Sequence, residues 1–249
     1  MMNRLYNEDN LTTIDRFPDE SIDLVITSPP YNVKLGGRSD ESRSYDVYVD
    51  DKEYSVYISW LRVIFSKIFS KLTFGGRVVI NIGDGKNGAI PTSSDIIQFM
   101  KDIRYLTLTH IIWNKNQTSP RTAWGSWLSP KQPSFPTPFE HILVFCKGSL
   151  NLSRKGVTDL TKEEFINYSL AMWTFPGVSK KKSQHPAAFP EELPYRCIKM
   201  FSYIDDIIYD PFAGVGTTLL VAEKLRRNCI GSEISEQYCK IYESRKDNL

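Results

Sequence analysis

The sequence predicts a doubly wound α/β fold, and three observations predict it. Short apolar runs of strand length alternate with stretches of helical period along the chain. Two of those runs end directly on turns rich in polar residues, proline or glycine, and open α/β sheets place their ligands at such carboxyl ends. At 249 residues, 41% of them hydrophobic, the chain suffices for one domain with a sizeable core and a modest appendage.

Seven strands are expected, near Leu5, Val25, Val79, Ile111, Leu143, Ile208 and Ile230. The clearest helix carries Ile58, Leu61, Phe65, Ile68 and Leu72 at helical spacing and is expected to stop at Gly75-Gly76, since glycine takes the left-handed cap without strain. No long helix separates the strands around Ile111 and Leu143, so they are expected to pair antiparallel at one side of the sheet, as an antiparallel edge strand. No internal repeat is present.

The first turn is Thr27-Ser28-Pro29-Pro30-Tyr31-Asn32, set after Leu24-Val25-Ile26. Its residue types suit a flat ring bearing an exocyclic amino group. Conjugation makes such a nitrogen a poor nucleophile until acceptors draw its hydrogens out of the ring system. Ser28 and the Pro29 carbonyl are candidate acceptors, and Pro29 and Pro30 fix φ near −65°, which stiffens the array. Tyr31 offers a stacking face, one of the terms that offset the cost of rotating a base out of a duplex. A plain Pro-Pro turn is the alternative for this motif alone.

The second turn is Asp210-Pro211-Phe212-Ala213-Gly214-Val215-Gly216-Thr217-Thr218, between Ile207-Ile208-Tyr209 and the periodic stretch from Leu219 to Leu225. It reads as strand, glycine turn, helix. Leu219 stands where the third glycine of a dinucleotide fingerprint would fall, so a pyrophosphate fits poorly. A ligand without phosphates fits better. Gly214 and Gly216 admit close backbone approach, the helix start at Thr217 and Thr218 offers N–H groups to a carboxylate, and Glu233, ending the strand around Ile230, can accept from ribose hydroxyls. S-adenosylmethionine has those groups. An ordinary tight connection is the alternative for this loop alone.

With both motifs in hand, the chain resembles the β class of DNA amino-methyltransferases, in which the Pro-Pro-Tyr segment precedes the glycine segment, as here. Further segments extend the resemblance over most of the chain: Gly75 to Asp84, Ile112 to Lys115, Glu140 to Phe145 and His185 to Leu193. The resemblance implies a seven-stranded Rossmann-like sheet with a small recognition insert, and S-adenosylmethionine as methyl donor. It implies a single domain of permuted order, with a catalytic half over residues 1–115 and a cofactor half over 185–249. Phe189 and Pro190 carry over as cofactor contacts, as do Asp210 and Phe212 of the glycine segment; Tyr6-Asn7-Glu8-Asp9-Asn10 implicates Asp9 at the cofactor's adenine. In the family the T-S-P-P-Y form goes mostly with the 4-amino group of cytosine, and D-P-P-Y with the 6-amino group of adenine. Ser28 therefore points to a cytosine-N4-specific enzyme. Adenine on the same fold is the alternative, followed by an amide or amine of RNA or protein and by a DNA-binding subunit without activity.

Double-stranded DNA is the implied partner, and a homodimer and a restriction endonuclease acting on the same sequence are the further partnerships the resemblance admits. Net charge is only +2, so the argument for nucleic acid is local rather than global. Residues 116–138 interleave Arg121, Trp124, Trp127 and Lys131 with prolines, a mixture suited to stacking and phosphate contact, although a Trp cluster capping the sheet would read the same way. Together with residues 149–182, this segment is expected to read the target sequence. Lys180-Lys181-Lys182 and Asn32 are further candidates for DNA contact, while Lys147, Arg154 and Lys155 form a second basic cluster; a solvated surface is the commoner alternative for each cluster. Residues 34–51, polar and rich in Ser and Gly, are expected to form a loop that closes over a rotated base, with a disordered surface loop as the alternative. Cys146, Cys197, Cys229 and Cys239 lack metal-ligand spacing and read as reduced, and His110 and His141 fall in strands. No apolar stretch approaches the roughly 18 residues of a membrane span, so a cytoplasmic location is expected.

Overall fold

The computed structural model describes residues 3–32, 46–48, 51–116, 128–133, 135–178 and 189–247. The strands are β1 (Arg4–Asn7), β2 (Ile22–Thr27), β3 (Leu72–Ile82), β4 (Tyr105–Asn114), β5 (Phe139–Lys147), β6 (Met172–Thr174), β7 (Ile207–Asp210) and β8 (Asn228–Glu233). The helices are α1 (Asn10–Asp15), α2 (Tyr54–Lys71), α3 (Thr92–Ile103), α4 (Lys162–Tyr168), α5 (Glu192–Phe201), α6 (Thr217–Lys224) and α7 (Glu236–Lys246). All eight strands join one mixed sheet in the order β1-β8-β7-β2-β3-β5-β4-β6.

Helices cover both faces. Leu24 and Ile26 of β2 pack with α5 and α6 on one side, while Val25 packs with α1, α2 and α3 on the other, which is why that strand is apolar on both faces. Local caps set the entries. Asp9 accepts from Leu11 N at the start of α1, Glu53 accepts from Ser55 N and Val56 N at α2, and Thr161 and Glu164 form a capping box at α4. Among the described residues, no helix is long and apolar enough to cross a membrane.

Three expectations need correction. Among the described residues the sheet has eight strands rather than seven; the extra one, β6, is three residues long and too short to register as a periodic run. The antiparallel strand is not at the edge. β5 runs antiparallel to β3 on one side and to β4 on the other, because α3 carries the chain past the gap that β5 then fills, and β6 pairs parallel with β4 outside it. Gly75-Gly76 does not stop α2 either, since Leu72 is already extended and the glycines lie inside β3. They mark a bulge: Ile22 pairs with Leu72, yet Leu24 pairs with Arg77. Gly75 sits at φ +79°, and a Cβ there would lie 2.2 Å from the Asn151 carbonyl oxygen.

The basic cluster at Lys147 and Arg154 is also placed by the sheet. Lys147 donates to the Leu72 carbonyl at 2.7 Å, and Arg154 pairs with Asp23 and Asp206. Those partners flank the amino ends of the parallel strands, opposite the edge where both sequence motifs lie.

Candidate active site

The turn after β2 is held from three directions. Tyr57 of α2 donates to the Pro30 carbonyl at 2.8 Å, so this carbonyl is fixed by the helix behind it. Ser28 Oγ donates to Tyr31 Oη at 3.1 Å, and Tyr31 Oη donates to Glu140 Oε2 at 2.9 Å. Asn81 Nδ2 donates to both Tyr31 Oη, at 2.8 Å, and Glu140 Oε2, at 2.7 Å. Lys115 pairs with the other oxygen of Glu140. Asn81 and Glu140 are buried where β3 and β5 meet.

The glycine loop after β7 is joined to that turn from beneath. Asp210 accepts from Thr27 Oγ1 at 2.8 Å and from Phe212 N at 3.1 Å through one oxygen, and from Thr218 Oγ1 at 2.6 Å through the other. It is therefore an internal strut between β2 and α6, not a wall of a cavity, because all three partners are themselves protein groups. Burial pushes its carboxyl up to about 6 against the pull of those hydrogen bonds. Between roughly pH 4 and 6 the folded chain keeps a proton there that the unfolded chain releases. Stability from this group thus falls as pH rises through that window and stays low above it, by about 3 kcal/mol. The expected result is that Asp210→Asn gains on the wild type as denaturation free energies are compared from pH 4 to pH 6. A difference independent of pH would show that folding leaves the proton affinity of this carboxyl unchanged.

Between the two loops lies a cavity of about 280 Å³. Asp9, Ser28, Pro30, Phe212 and Glu233 all line it, which brings residues of both sequence motifs and of the β1–α1 connection to one place. Glu233 accepts from Gly214 N at 2.9 Å and from Ser235 N at 2.8 Å, and burial raises its carboxyl. Trp60 meets Phe212 edge-on at 5.4 Å between centroids and stacks with Tyr48 at 5.6 Å. Among the described residues of the lining, Glu8, Asp9 and Glu233 are acidic and Lys52 is cationic, and Glu8 is paired with Arg16 at 2.7 Å.

Other expected residues lie around this cavity rather than in its lining. Thr218 is spent on Asp210, and Thr217 Oγ1 accepts from Arg245 at 3.2 Å. Gly216 caps α6 at φ +72° with no side chain bonded to the helix start. Phe189 packs on the core beside α5, and the Pro190 carbonyl accepts from Leu193 N. Asn32 is half-buried, and its amide donates to the Lys52 carbonyl at 2.8 Å and accepts from Lys52 N at 2.7 Å. Lys131 is exposed. Arg121, Trp124, Trp127, Lys180, Lys181 and Lys182 lie outside the described residues, as does most of the 34–51 loop.

Residues 22–244 match the profile of the N6 and N4 amino-methylases, described as DNA methylase. The chain is a member of this DNA methylase family. Type II methyltransferase M.MjaVI of Methanocaldococcus jannaschii is 41% identical to it over 72% of this chain and 88% of its own length. M.MjaI of the same organism is 32% identical over 93% and 87%. Among solved structures, the putative DNA modification methylase TTHA0409 of Thermus thermophilus, in complex with S-adenosyl-L-methionine, superposes with a TM-score of 0.74 at 28% identity, over 98% of this chain and 95% of its own. PvuII DNA methyltransferase, which is cytosine-N4-specific, shares the fold at a TM-score of 0.72 and 22% identity, over 97% and 85%.

Sequence reasoning about this methylase missed the groups behind Tyr31. Asn81 interrupts the apolar run Val78 to Ile82, and Glu140 interrupts the start of β5. A polar residue in a strand buried on both faces was the available signal, since such groups are kept only with partners.

Proposed function

We propose that this methylase transfers a methyl group from S-adenosylmethionine to the exocyclic 4-amino group of a cytosine rotated out of duplex DNA. The observation that carries the reading is Ser28, a residue that lines the cavity and whose hydroxyl gives its hydrogen to Tyr31. Its remaining lone pairs are then acceptors for an amino N–H, and cytosine is the base that goes with this T-S-P-P-Y form in the resembling family. Adenine is the alternative product on the same fold.

The cavity fits the donor. Among the described lining residues, Asp9 and Glu233 stand against Lys52, with Glu8 already paired to Arg16, and this acidic balance suits a sulfonium and an ammonium better than phosphates. Trp60, Phe212 and Tyr238 supply aromatic surface for an adenine, and Asn10, which also lines the cavity, has a buried Oδ1 without a hydrogen-bond partner. The start of α6, uncapped by any side chain, suits a carboxylate. When bound, S-adenosylmethionine supplies a methyl group that leaves with its bonding electrons retained by sulfur. The residues of this chain then have three tasks. Ser28 and the Pro29 carbonyl draw the amino hydrogens out of conjugation, so that the nitrogen lone pair can form the new C–N bond and the surplus proton departs to water. Tyr31 stacks on the base, and Asp9, Phe212, Gly214, Gly216, Thr217, Glu233, Phe189 and Pro190 hold or flank the donor, with Asp210 and Thr218 bracing them. The catalytic half at residues 1–115 and the cofactor half at 185–249 thereby act as one domain, while 116–138, including Lys131, and 149–182 face the DNA as recognition segments.

The test is incubation with methyl-labelled S-adenosylmethionine and unmodified duplex DNA of mixed sequence, followed by nucleoside analysis. Label in 4-methylcytosine is expected. Label in 6-methyladenine would overturn the choice of base and leave the donor and acceptor assignments standing.

A further inference from the structure

We propose that Glu140 is a positioning residue that sets the direction of the Ser28–Tyr31 hydrogen-bond chain and so keeps Ser28 an acceptor. The inference deepens the reading above and rests on Ser28 receiving the target amino group. A hydroxyl can point its hydrogen either way along such a chain, and a serine and a tyrosine alone would leave the direction undetermined. Here the far end is a carboxylate, which only accepts. Glu140 Oε2 therefore takes the Tyr31 hydrogen, Tyr31 Oη takes the Ser28 hydrogen, and the Ser28 lone pairs are left for the incoming N–H.

Two neighbours reinforce that direction. Asn81 uses Nδ2 on both Tyr31 Oη and Glu140 Oε2, while its Oδ1 is buried without a partner. A buried acceptor left unpaired costs about 1–3 kcal/mol, so the residue serves here for its donors. Lys115 holds the other Glu140 oxygen, which requires an acceptor at that position as well. The carboxylate thus has fixed demands on both oxygens, and its burial makes a paired cation obligatory.

Glu140→Gln tests this with little change in shape. The amide cannot present oxygen both to Lys115 and to Tyr31; with oxygen toward the ammonium, its NH2 faces Tyr31 and reverses the chain, turning the Ser28 hydrogen toward the target. The expected result is a kcat lower by about tenfold to a hundredfold, with KM for DNA and the dissociation constant for S-adenosylmethionine within about twofold of wild type. Tyr31→Phe, which deletes the chain and keeps the ring, should lower kcat comparably, and the double variant should be no worse than either single one. Wild-type kcat in Glu140→Gln, or losses that multiply in the double variant, overturns the proposal. If Glu140→Gln melts below the assay temperature, Tyr31→Phe decides alone, because it leaves the Lys115–Glu140 pair intact, and wild-type kcat there overturns the chain. Ser28→Ala separates the two levels. Loss of turnover in Ser28→Ala alongside full turnover in Glu140→Gln removes only the positioning role, whereas full turnover in Ser28→Ala removes the acceptor reading and this proposal with it.

Discussion

Tyr31→Ala is expected to lower kcat/KM on duplex DNA by about a hundredfold or more while S-adenosylmethionine binds as before. Stacking a base on an aromatic side chain contributes about 1–3 kcal/mol, the upper part of which already corresponds to roughly a hundredfold. The substitution also removes the hydroxyl that orders Ser28, so both contributions fall together. Donor affinity should persist because Tyr31 is absent from the cavity lining and reaches instead toward Asn81 and Glu140. Equilibrium dialysis with labelled cofactor, set beside steady-state turnover, checks the separation. Unchanged turnover would remove Tyr31 from the target site, and a parallel loss of cofactor affinity would mean that the turn as a whole had collapsed.

Gly216→Ala is expected to cost about 2–4 kcal/mol and to lower the melting temperature by roughly 5–15 °C. Two causes act at the same atom. The residue sits at φ +72°, a conformation that disfavours any side chain, and a Cβ there would lie 2.1 Å from Cδ2 of Tyr242. Tyr242 is fully buried in the core shared with α6 and cannot swing aside. Calorimetry of Gly216→Ala in the wild-type and Tyr242→Ala backgrounds divides the two causes: the glycine change should cost less where the ring is gone. An equal cost in both backgrounds would assign the whole penalty to the backbone.

How much of this was legible in the sequence depended on the range of the interaction. Runs such as Leu24 to Ile26 or Ile207 to Tyr209 mark strands because burial on both faces is written into adjacent residues, and the two turns that follow them carry their chemistry in contiguous letters. Gly75-Gly76 misleads because a helix stop and a β-bulge both call for glycine, and only the pairing of β2 with β3 distinguishes them. Asp210 heads the glycine loop, and its hydrogen bonds from Thr27 and Thr218 are invisible in the sequence because they lie across a strand pairing and a helix start. Glu140 and Asn81 are far apart in sequence, and period-two alternation states which face a residue occupies without naming its neighbour there. The role of Asn32 is hidden for the same reason, since the Lys52 backbone it binds lies beyond a long intervening segment.

The pairing of β1 with β8 has a consequence in time. Asn7, at the end of β1, donates to the backbone of Glu233, and these two residues stand near opposite ends of the described chain. At ribosomal rates of about 5–20 residues per second, roughly ten to forty-five seconds separate their synthesis. Throughout that interval β1 has no strand to pair with, and Asp9 just beyond it has no facing Glu233 to close the cavity. A chain clipped before β8 thus keeps the Ser28 turn with its Asn81 and Glu140 partners but lacks Glu233 from the cavity. Such a fragment is expected to leave DNA unmodified in a methyl-transfer assay, because β8 and Glu233 are missing from it.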